Sequence, residues 1–114
     1  MTQCLFCQLI NRDIPANIVY EDDQVLAFED IHPQAPTHCL IIPKQHIATL
    51  NDLQADNAQL IGYMTLTAKQ LAQDKGLAED GYRLVFNCNE QGGQTVFHIH
   101  LHLLGGRSMQ WPTG

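Results

Sequence analysis

Three histidines occupy alternate positions near the end of the chain, in the stretch "FHIHLHLLGG". On a β-strand, successive side chains point to opposite sides, so His98, His100 and His102 would share one face. The apolar residues beside and between them, Phe97 among them, would share the other face and pack on a core. Imidazole is partly neutral near pH 7 and can act as a nucleophile, a proton carrier or a metal ligand. The spacing therefore predicts a chemical site.

The loop before these histidines, "NEQGGQT", supplies groups that suit an anion. The backbone N–H of Gly93 can approach an anion closely, and Gln94 and Thr95 add side-chain donors. Asn87 lies just before this loop. Two kinds of chemistry fit the three imidazoles: a shared zinc ion, or attack by one neutral imidazole on phosphorus or carbon. The nearby donors favour a phosphate site, and a metal site stays as the alternative.

The composition of the chain limits its partners. The chain has 114 residues, six Lys and Arg in total, and a formal net charge of -6. A groove for nucleic acid needs a basic stripe, so we expect no nucleic-acid partner. No apolar run approaches the roughly 18 residues that span a bilayer, and the first residues do not resemble a signal peptide. We therefore expect no membrane association, a cytoplasmic location with reduced thiols, and a single domain over residues 1–114.

Hydrophobic periodicity predicts the elements that position these residues. Apolar residues between Leu5 and Ile10 form a short helical stripe. A long helix is predicted from Leu53 to Lys75, with Asn51 as its N-cap. The strands are predicted at residues 18–20, 25–30, 38–43, 82–87 and 96–104. One long helix with strands in mostly antiparallel order makes an α+β domain.

Longer stretches of the chain resemble a known family. These stretches are "EDDQVLAFEDIHPQAPTHCLIIPKQHI", "DGYRLVFN", "GGQTVFHIHLHLLGGR" and "MQWPTG". They are similar to the Hint branch of the histidine triad (HIT) superfamily, over nearly the whole chain. The resemblance implies a five-stranded, mainly antiparallel sheet with one long helix and a short N-terminal helix, joined across a homodimer into a ten-stranded sheet. It also implies a purine nucleotide-binding protein with nucleoside phosphoramidase activity, which needs no cofactor for catalysis.

The same resemblance assigns roles to four histidines. His100 matches the nucleophile, which attacks the α-phosphorus, expels the amine and forms a nucleotidyl-histidine that water hydrolyses. His102 matches the histidine that contacts the phosphate. His98 and His38 match histidines that orient the others. The substrates implied are nucleoside 5′-phosphoramidates and, by the same chemistry, aminoacyl-adenylates.

A nucleotide pocket is implied as well. Asp30 of "FEDI" matches a carboxylate that accepts both ribose hydroxyls, which suits its two acceptor oxygens. Thr95 and Asn87 match contacts on the phosphate side. The residues that match the apolar base pocket are Leu5, Phe6, Leu9, Phe28 and Ile31.

Two features lie outside this pocket. Some HIT relatives bind a structural zinc ion through a C-x-x-C pair, a histidine after "PK" and the first triad histidine. The matching residues here are Cys4, Cys7, His46 and His98, and two sulfurs with two nitrogens make a standard tetrahedral zinc set. The alternative is that Cys7 packs as a small apolar residue.

The C-terminal tail, residues 105–114, matches a segment that crosses the dimer toward the partner's site. There, Trp111 would affect the choice of leaving group.

Three other functions stay open as alternatives: hydrolysis of dinucleoside polyphosphates through the same intermediate, a non-catalytic nucleotide-binding regulatory module, and a zinc hydrolase with the histidine triad as its ligands.

Overall fold

Five antiparallel strands form one sheet among residues 4–114, the part of the chain that this computed structural model describes. The strands are β1 (Ile18–Glu21), β2 (Val25–Glu29), β3 (Thr37–Pro43), β4 (Tyr82–Phe86) and β5 (Leu101–Gly105). Their order across the sheet is β1-β2-β3-β5-β4, so β5 lies between β3 and β4. Every neighbouring pair is antiparallel. The predicted sheet is confirmed.

Helices cover both faces of the sheet. α2 (Ala58–Asp74) packs on one face and α1 (Leu5–Ile10) packs on the other. Side chains of the strands alternate between these layers, so that Ile41 and Leu101 face α2 while Leu40 faces α1. Because each fully buried side chain of this kind contributes roughly 1.5–3 kcal/mol, both layers stabilise the sheet. The predicted α+β class is confirmed.

The long helix begins later than predicted. Two 3-10 turns, Leu50–Asp52 and Ala55–Asn57, precede α2, which therefore does not begin at Leu53. Thr49, not the predicted Asn51, caps the first turn, because its hydroxyl accepts the Asn51 N–H at 3.1 Å. Each turn is closed by its own capping box. These polar side chains satisfy local backbone groups in separate turns, which delays the continuous helix.

β5 is shorter than predicted, so His98 and His100 lie in the segment before it. The alternation of side chains continues through this segment, because both histidines are buried on one side and Ile99 packs in the α2 layer. Phe97 is 49% exposed, which corrects the expectation that it packs on the core. The ladder starts late because the Ile99 N–H donates to the Ile47 carbonyl at 2.8 Å, beyond the end of β3.

The loop before this segment contains a one-turn helix, α3 (Asn89–Gly92), where the sequence predicted only a glycine-containing loop. Gly93 follows it with a φ of 83°, the left-handed conformation that favours glycine after a helix. The turn leads the chain from β4 to the histidines. Among residues 4–114, no helix has both the length and the apolar character that a membrane crossing requires.

Candidate active site

His38 and His102 lie on neighbouring strands and face the same side of the sheet. His102 pairs with Leu40 across β3 and β5, which makes His38 its diagonal neighbour. His38 Nε2 is 2.9 Å from His102 Nδ1, and the Gln34 N–H donates to His38 Nδ1 at 3.0 Å. The proton of neutral His38 therefore lies on Nε2 and is donated to His102 Nδ1. The Nε2–H of His102 is left to donate to a ligand.

His100 has the orientation of a nucleophile. Its Nδ1 lies 2.8 Å from the carbonyl oxygen of His98. Because a carbonyl only accepts, Nδ1 carries the proton and Nε2 keeps its lone pair. The His100 ring centroid is 5.0 Å from that of His102 and 5.1 Å from that of Phe6, whose ring meets it edge to face. One basic nitrogen and one N–H donor thus lie in neighbouring rings. We call His38, His100 and His102 the imidazole cluster.

Burial keeps the imidazole cluster neutral. Desolvation lowers the pKa of His38 and the pKa of His100 below their usual value. Burial, together with the neighbouring His100 and His38, lowers the pKa of His102 to about 4. The Asp30 carboxylate opposes these pKa shifts, and its Oδ2 lies 3.5 Å from His38 Nε2. All three rings are therefore neutral near pH 7, which is the state that a nucleophilic imidazole needs.

An apolar cavity of about 270 Å³ lies on the same side of the sheet. The residues predicted for the base and the ribose all line it: Leu5, Phe6, Leu9, Phe28, Asp30 and Ile31. Further residues line the cavity that the sequence did not predict: Ile14, Pro15, Ala16, Glu29, His32, Leu40 and Val96. Leu40 carried a usable signal, because it alternates with His38 along β3 and so faces the same side. The "IPA" stretch before β1 carried none.

Asp30 gives this cavity a carboxylate next to His38. Its Oδ1 accepts the His32 N–H at 2.8 Å, and its Oδ2 is the oxygen near His38 Nε2. Each carboxylate oxygen has two lone pairs, so acceptor positions are left for hydroxyl groups. Apolar walls with a carboxylate acceptor make a suitable environment for a base and its ribose.

Gln94 does not have the environment that the sequence predicted for a phosphate donor. It is buried, and its side-chain N–H groups donate to the carbonyls of Ala48 and Val96 at 2.7 and 3.0 Å. Its side-chain oxygen accepts the Asn89 N–H at 2.9 Å. Both side-chain donors are engaged within the protein, which corrects the expectation that Gln94 offers them to an anion. Gln94 instead anchors the loop before the histidines.

Asn87 and Gly93 shape the same loop. The Asn87 amide donates to the Gly92 carbonyl, and the Gly93 N–H donates to the Glu90 carbonyl at 3.0 Å. Thr95 follows on the exposed side of this turn. A phosphate contact by Asn87, Gly93 or Thr95 stays a prediction.

A second set of side chains lies around the ring nitrogen Nδ1 of His98. We call Cys4, Cys7, His46 and His98 the thiol cluster; all four ligand atoms lie within 4.8 Å of one another. The sulfur of Cys4 is 3.4 Å and that of Cys7 is 3.6 Å from His98 Nδ1. The Nδ1 atoms of His46 and His98 are 3.2 Å apart.

These separations fit a metal ion. A tetrahedral zinc with bonds of about 2.3 Å to sulfur and about 2.05 Å to nitrogen requires about 3.6 Å between sulfur and nitrogen, and about 3.3 Å between nitrogens. The Nε2 of His98 is 2.7 Å from the Pro43 carbonyl and so carries the proton, which turns the Nδ1 lone pair toward the sulfurs. The donor set and its geometry therefore fit zinc.

Comparison with known proteins agrees with this fold. The family model for the HIT domain matches residues 11–109. The purine nucleoside phosphoramidase of Escherichia coli (strain K12) is 54% identical over 107 residues, which cover 94% of this chain and 90% of that protein. An uncharacterized HIT-like protein of Synechococcus elongatus is 56% identical over 110 residues, 96% of each chain.

Solved structures of the same family match closely. A HIT family hydrolase from Legionella pneumophila Philadelphia 1 is 61% identical, with a TM-score of 0.97, and the match covers 98% of this chain and 100% of that one. The chain therefore belongs to the HIT domain family, as the sequence resemblance predicted. Within that family it is a hydrolase, which confirms the predicted enzyme class.

Proposed function

We propose that the chain is a purine nucleoside phosphoramidase, which hydrolyses the P–N bond of nucleoside 5′-phosphoramidates and releases the nucleoside monophosphate. The observation that carries this proposal is the hydrogen bond from His100 Nδ1 to the His98 carbonyl, because it leaves Nε2 unprotonated beside the N–H donor of His102. The name of the Escherichia coli relative supports the substrate class.

The proposed reaction has two steps. His100 Nε2 attacks the α-phosphorus, the P–N bond breaks, and the amine leaves with the bonding electron pair and takes up a proton from solvent. The Nε2–H of His102 donates to a phosphoryl oxygen, where negative charge grows in the transition state. Water then attacks the phosphorus of the nucleotidyl-histidine, the P–Nε2 bond breaks with its electron pair on His100, and the proton of the water passes to solvent, which releases the monophosphate and restores neutral His100.

The apolar cavity would hold the purine, and the Asp30 carboxylate would accept the ribose hydroxyls. Phe6 and Phe28 form an edge-to-face pair at 5.4 Å along the cavity wall, which gives a flat base a shaped aromatic surface. Hydrogen bonds to a charged carboxylate contribute about 1.5–3 kcal/mol each. Two such bonds would supply a large part of the roughly 8 kcal/mol of a micromolar site.

Mass spectrometry of protein mixed briefly with adenosine 5′-phosphoramidate tests this proposal. We expect an added adenylyl mass on the peptide that contains His100, in the wild-type protein or in His102→Ala, in which loss of the Nε2–H donor slows both formation and hydrolysis of the adduct. The adduct should be absent from His100→Ala. Neither an adduct nor released amine in the wild-type protein would favour a nucleotide-binding module instead. Turnover of a dinucleoside polyphosphate but not of phosphoramidates would favour the other hydrolase.

We also propose that the thiol cluster binds a structural zinc ion. Its ligands would be the two cysteine sulfurs and the two imidazole nitrogens described above. When bound, the metal would cross-link α1 to the sheet, and it takes no part in the proposed reaction. Structural zinc binding contributes directly to the free energy of folding. Elemental analysis of protein purified without added metal checks this proposal.

The proposed quaternary state is a homodimer with a continuous ten-stranded sheet. β4 is an edge strand, and all of its residues are only partly buried, as expected for an edge that pairs with a second copy. Trp111 is 83% exposed in the single chain. In the proposed dimer it would reach the leaving-group side of the partner's site. Light scattering at micromolar concentration tests the dimer, and a monomeric mass would contradict it.

A further inference from the structure

The loop between β2 and β3 carries Gln34, whose backbone contacts His38. We propose that Arg107 is a positioning residue for the His38–His102 pair, because it fixes the loop whose backbone sets the proton of His38. The inference rests on the proposed function, since it accounts for the N–H that His102 would present to a phosphate.

Arg107 holds Gln34 by two hydrogen bonds to one carbonyl. Its Nε and Nη2 donate to the Gln34 carbonyl oxygen at 3.1 and 2.9 Å. Its Nη1 donates to the Ser108 carbonyl at 3.1 Å, which fixes the guanidinium plane. A charged donor makes hydrogen bonds about twice as strong as neutral ones. The peptide group that follows Gln34 is therefore fixed from the end of β5.

The residue before Arg107 brings the two segments into direct contact. Gly106 has a φ of 94°, and a Cβ placed there would lie 2.8 Å from Pro36 Cβ. Only glycine allows the backbone this close to the loop in that conformation. Gly106 and Arg107 thus hold the loop at Pro36 and at Gln34.

From Gln34 the constraint passes to the two histidines. The Gln34 N–H donates to His38 Nδ1, so that nitrogen cannot carry a proton, and His38 Nε2–H donates to His102 Nδ1. If the loop moved, His38 could take a proton on Nδ1, and the donor to His102 Nδ1 would be lost. His102 could then present its lone pair, rather than its N–H, to an incoming phosphate.

Arg83 offers a matched control. Its Nη2 donates to the Gln110 carbonyl at 2.9 Å, so it also fixes a backbone carbonyl at this end of the chain. Arg83→Ala and Arg107→Ala each remove one positive charge and the hydrogen bonds of an arginine to backbone carbonyls, one bond at Arg83 and three at Arg107. Of the two arginines, it is Arg107 that contacts the loop with Gln34.

The experiment combines long-range ¹H–¹⁵N spectra of histidine-labelled protein with steady-state kinetics on adenosine 5′-phosphoramidate. In the wild-type protein we expect His38 and His102 each to show only the Nε2–H tautomer. Arg107→Ala should show mixed tautomers and a kcat lower by about tenfold to a hundredfold, the cost of a small misplacement at a reacting group. Its KM should stay within about twofold of wild type, because Arg107 does not line the apolar cavity.

Arg107→Lys should be intermediate in both measurements, because it keeps the charge and one donor. Arg83→Ala should match the wild-type tautomers and kcat. Wild-type tautomers and kcat in Arg107→Ala would overturn the inference, and if that variant does not fold, Arg107→Lys is judged by the same criteria. A wild-type protein without turnover would instead refute the proposed function, while the tautomers would still test the role of Arg107.

Discussion

The imidazole cluster and the thiol cluster lie next to each other, and they differ in where their lone pairs point. In the imidazole cluster, hydrogen bonds to backbone groups leave one lone pair and one N–H available to a ligand. In the thiol cluster, ring nitrogens and sulfurs point inward at one another. The first arrangement suits a substrate that comes and goes, whereas the second suits a metal ion that stays.

His98 shows that the backbone decides between these two arrangements. Its ring Nε2 bonds to the Pro43 carbonyl, which turns Nδ1 toward the cysteines. Its own carbonyl oxygen accepts from His100 Nδ1, which leaves the opposite nitrogen of His100 basic. Two histidines separated by one residue thus have opposite nitrogens available. The clusters share a peptide segment, but we expect their chemistry to be separable.

The largest expected effect comes from the imidazole cluster. His100→Ala should lower turnover by at least about four orders of magnitude, which corresponds to about 5.4 kcal/mol at 1.36 kcal/mol per tenfold. Its zinc content should equal that of the wild-type protein, because the thiol cluster is intact. Lys69→Ala is the control, since Lys69 is exposed on α2 and belongs neither to the two clusters nor to the lining of the apolar cavity. Residual turnover of more than a few per cent in His100→Ala would show that another group is the nucleophile.

The next effect comes from the thiol cluster. Cys7→Ser should lose the metal and lower the Tm by at least about 5 °C, because the metal would no longer tie α1 to the sheet. Turnover at saturating substrate should stay within about threefold of wild type. Cys88→Ser, which changes a half-buried cysteine outside both clusters, should keep its metal and its Tm.

Differential scanning fluorimetry and elemental analysis on the same samples measure both quantities. A loss of kcat in Cys7→Ser that parallels the loss of zinc would show that the two clusters act as one unit. An unchanged Tm with a full loss of zinc would show that the metal is not structural.

The sequence predicted the sides of the sheet better than the ends of its elements. The alternation of side chains predicted that His100 and Ile99 face opposite sides of the sheet. The structure has this arrangement although both residues precede β5, because an extended chain alternates its side chains even where it makes no ladder hydrogen bonds. The start of α2 was missed although the signals were local. The capping boxes at Thr49 and Gln54 could have been recognised from the asparagine or aspartate three residues after each.

Hydrogen bonds between residues distant in sequence could not be predicted from the sequence. The assignment of Gln94 as a phosphate donor failed because its partner Ala48 is brought near by folding. The contacts of Arg107 with Gln34 and of His98 with Pro43 likewise join distant segments, and nothing in their residue types marks them. Such contacts set which nitrogen of each histidine is available.

A smaller effect is expected on the stability of the folded protein at low pH. The pKa of His102 in the folded protein is about 4, with burial as the main cause and His100 and His38 as further ones, against Asp30. Its ordinary value is about 6.5, so below that pH the unfolded chain binds a proton that the folded protein does not. The contribution of His102 to the free energy of unfolding is therefore fully present above pH 6.5 and is lost as the pH falls toward 4.

Activity should be less sensitive to acid than it would be if an imidazole of ordinary pKa controlled the reaction. After subtraction of spontaneous acid hydrolysis, we expect the acid limb of the kcat/KM profile to lie below pH 6.5, because burial lowers the pKa of His38, His100 and His102 below its ordinary value. The Tm should already decline as the pH falls below 6.5. An acid limb near pH 6.5 in the kcat/KM profile would show that an imidazole of ordinary pKa controls the reaction.

The smallest effect should come from the tail, which belongs to neither cluster. Trp111 is largely exposed and lies beyond the end of β5, so Trp111→Ala should leave the zinc content unchanged. If Trp111 contacts the leaving group in the dimer, the ratio of kcat/KM between a bulky aromatic amine and an unsubstituted phosphoramidate should fall by about threefold to tenfold, up to 1.4 kcal/mol. Gln110→Ala, the neighbouring exposed side chain, should leave that ratio unchanged. An equal loss on both substrates would place the effect of Trp111 on the imidazole cluster rather than on leaving-group choice.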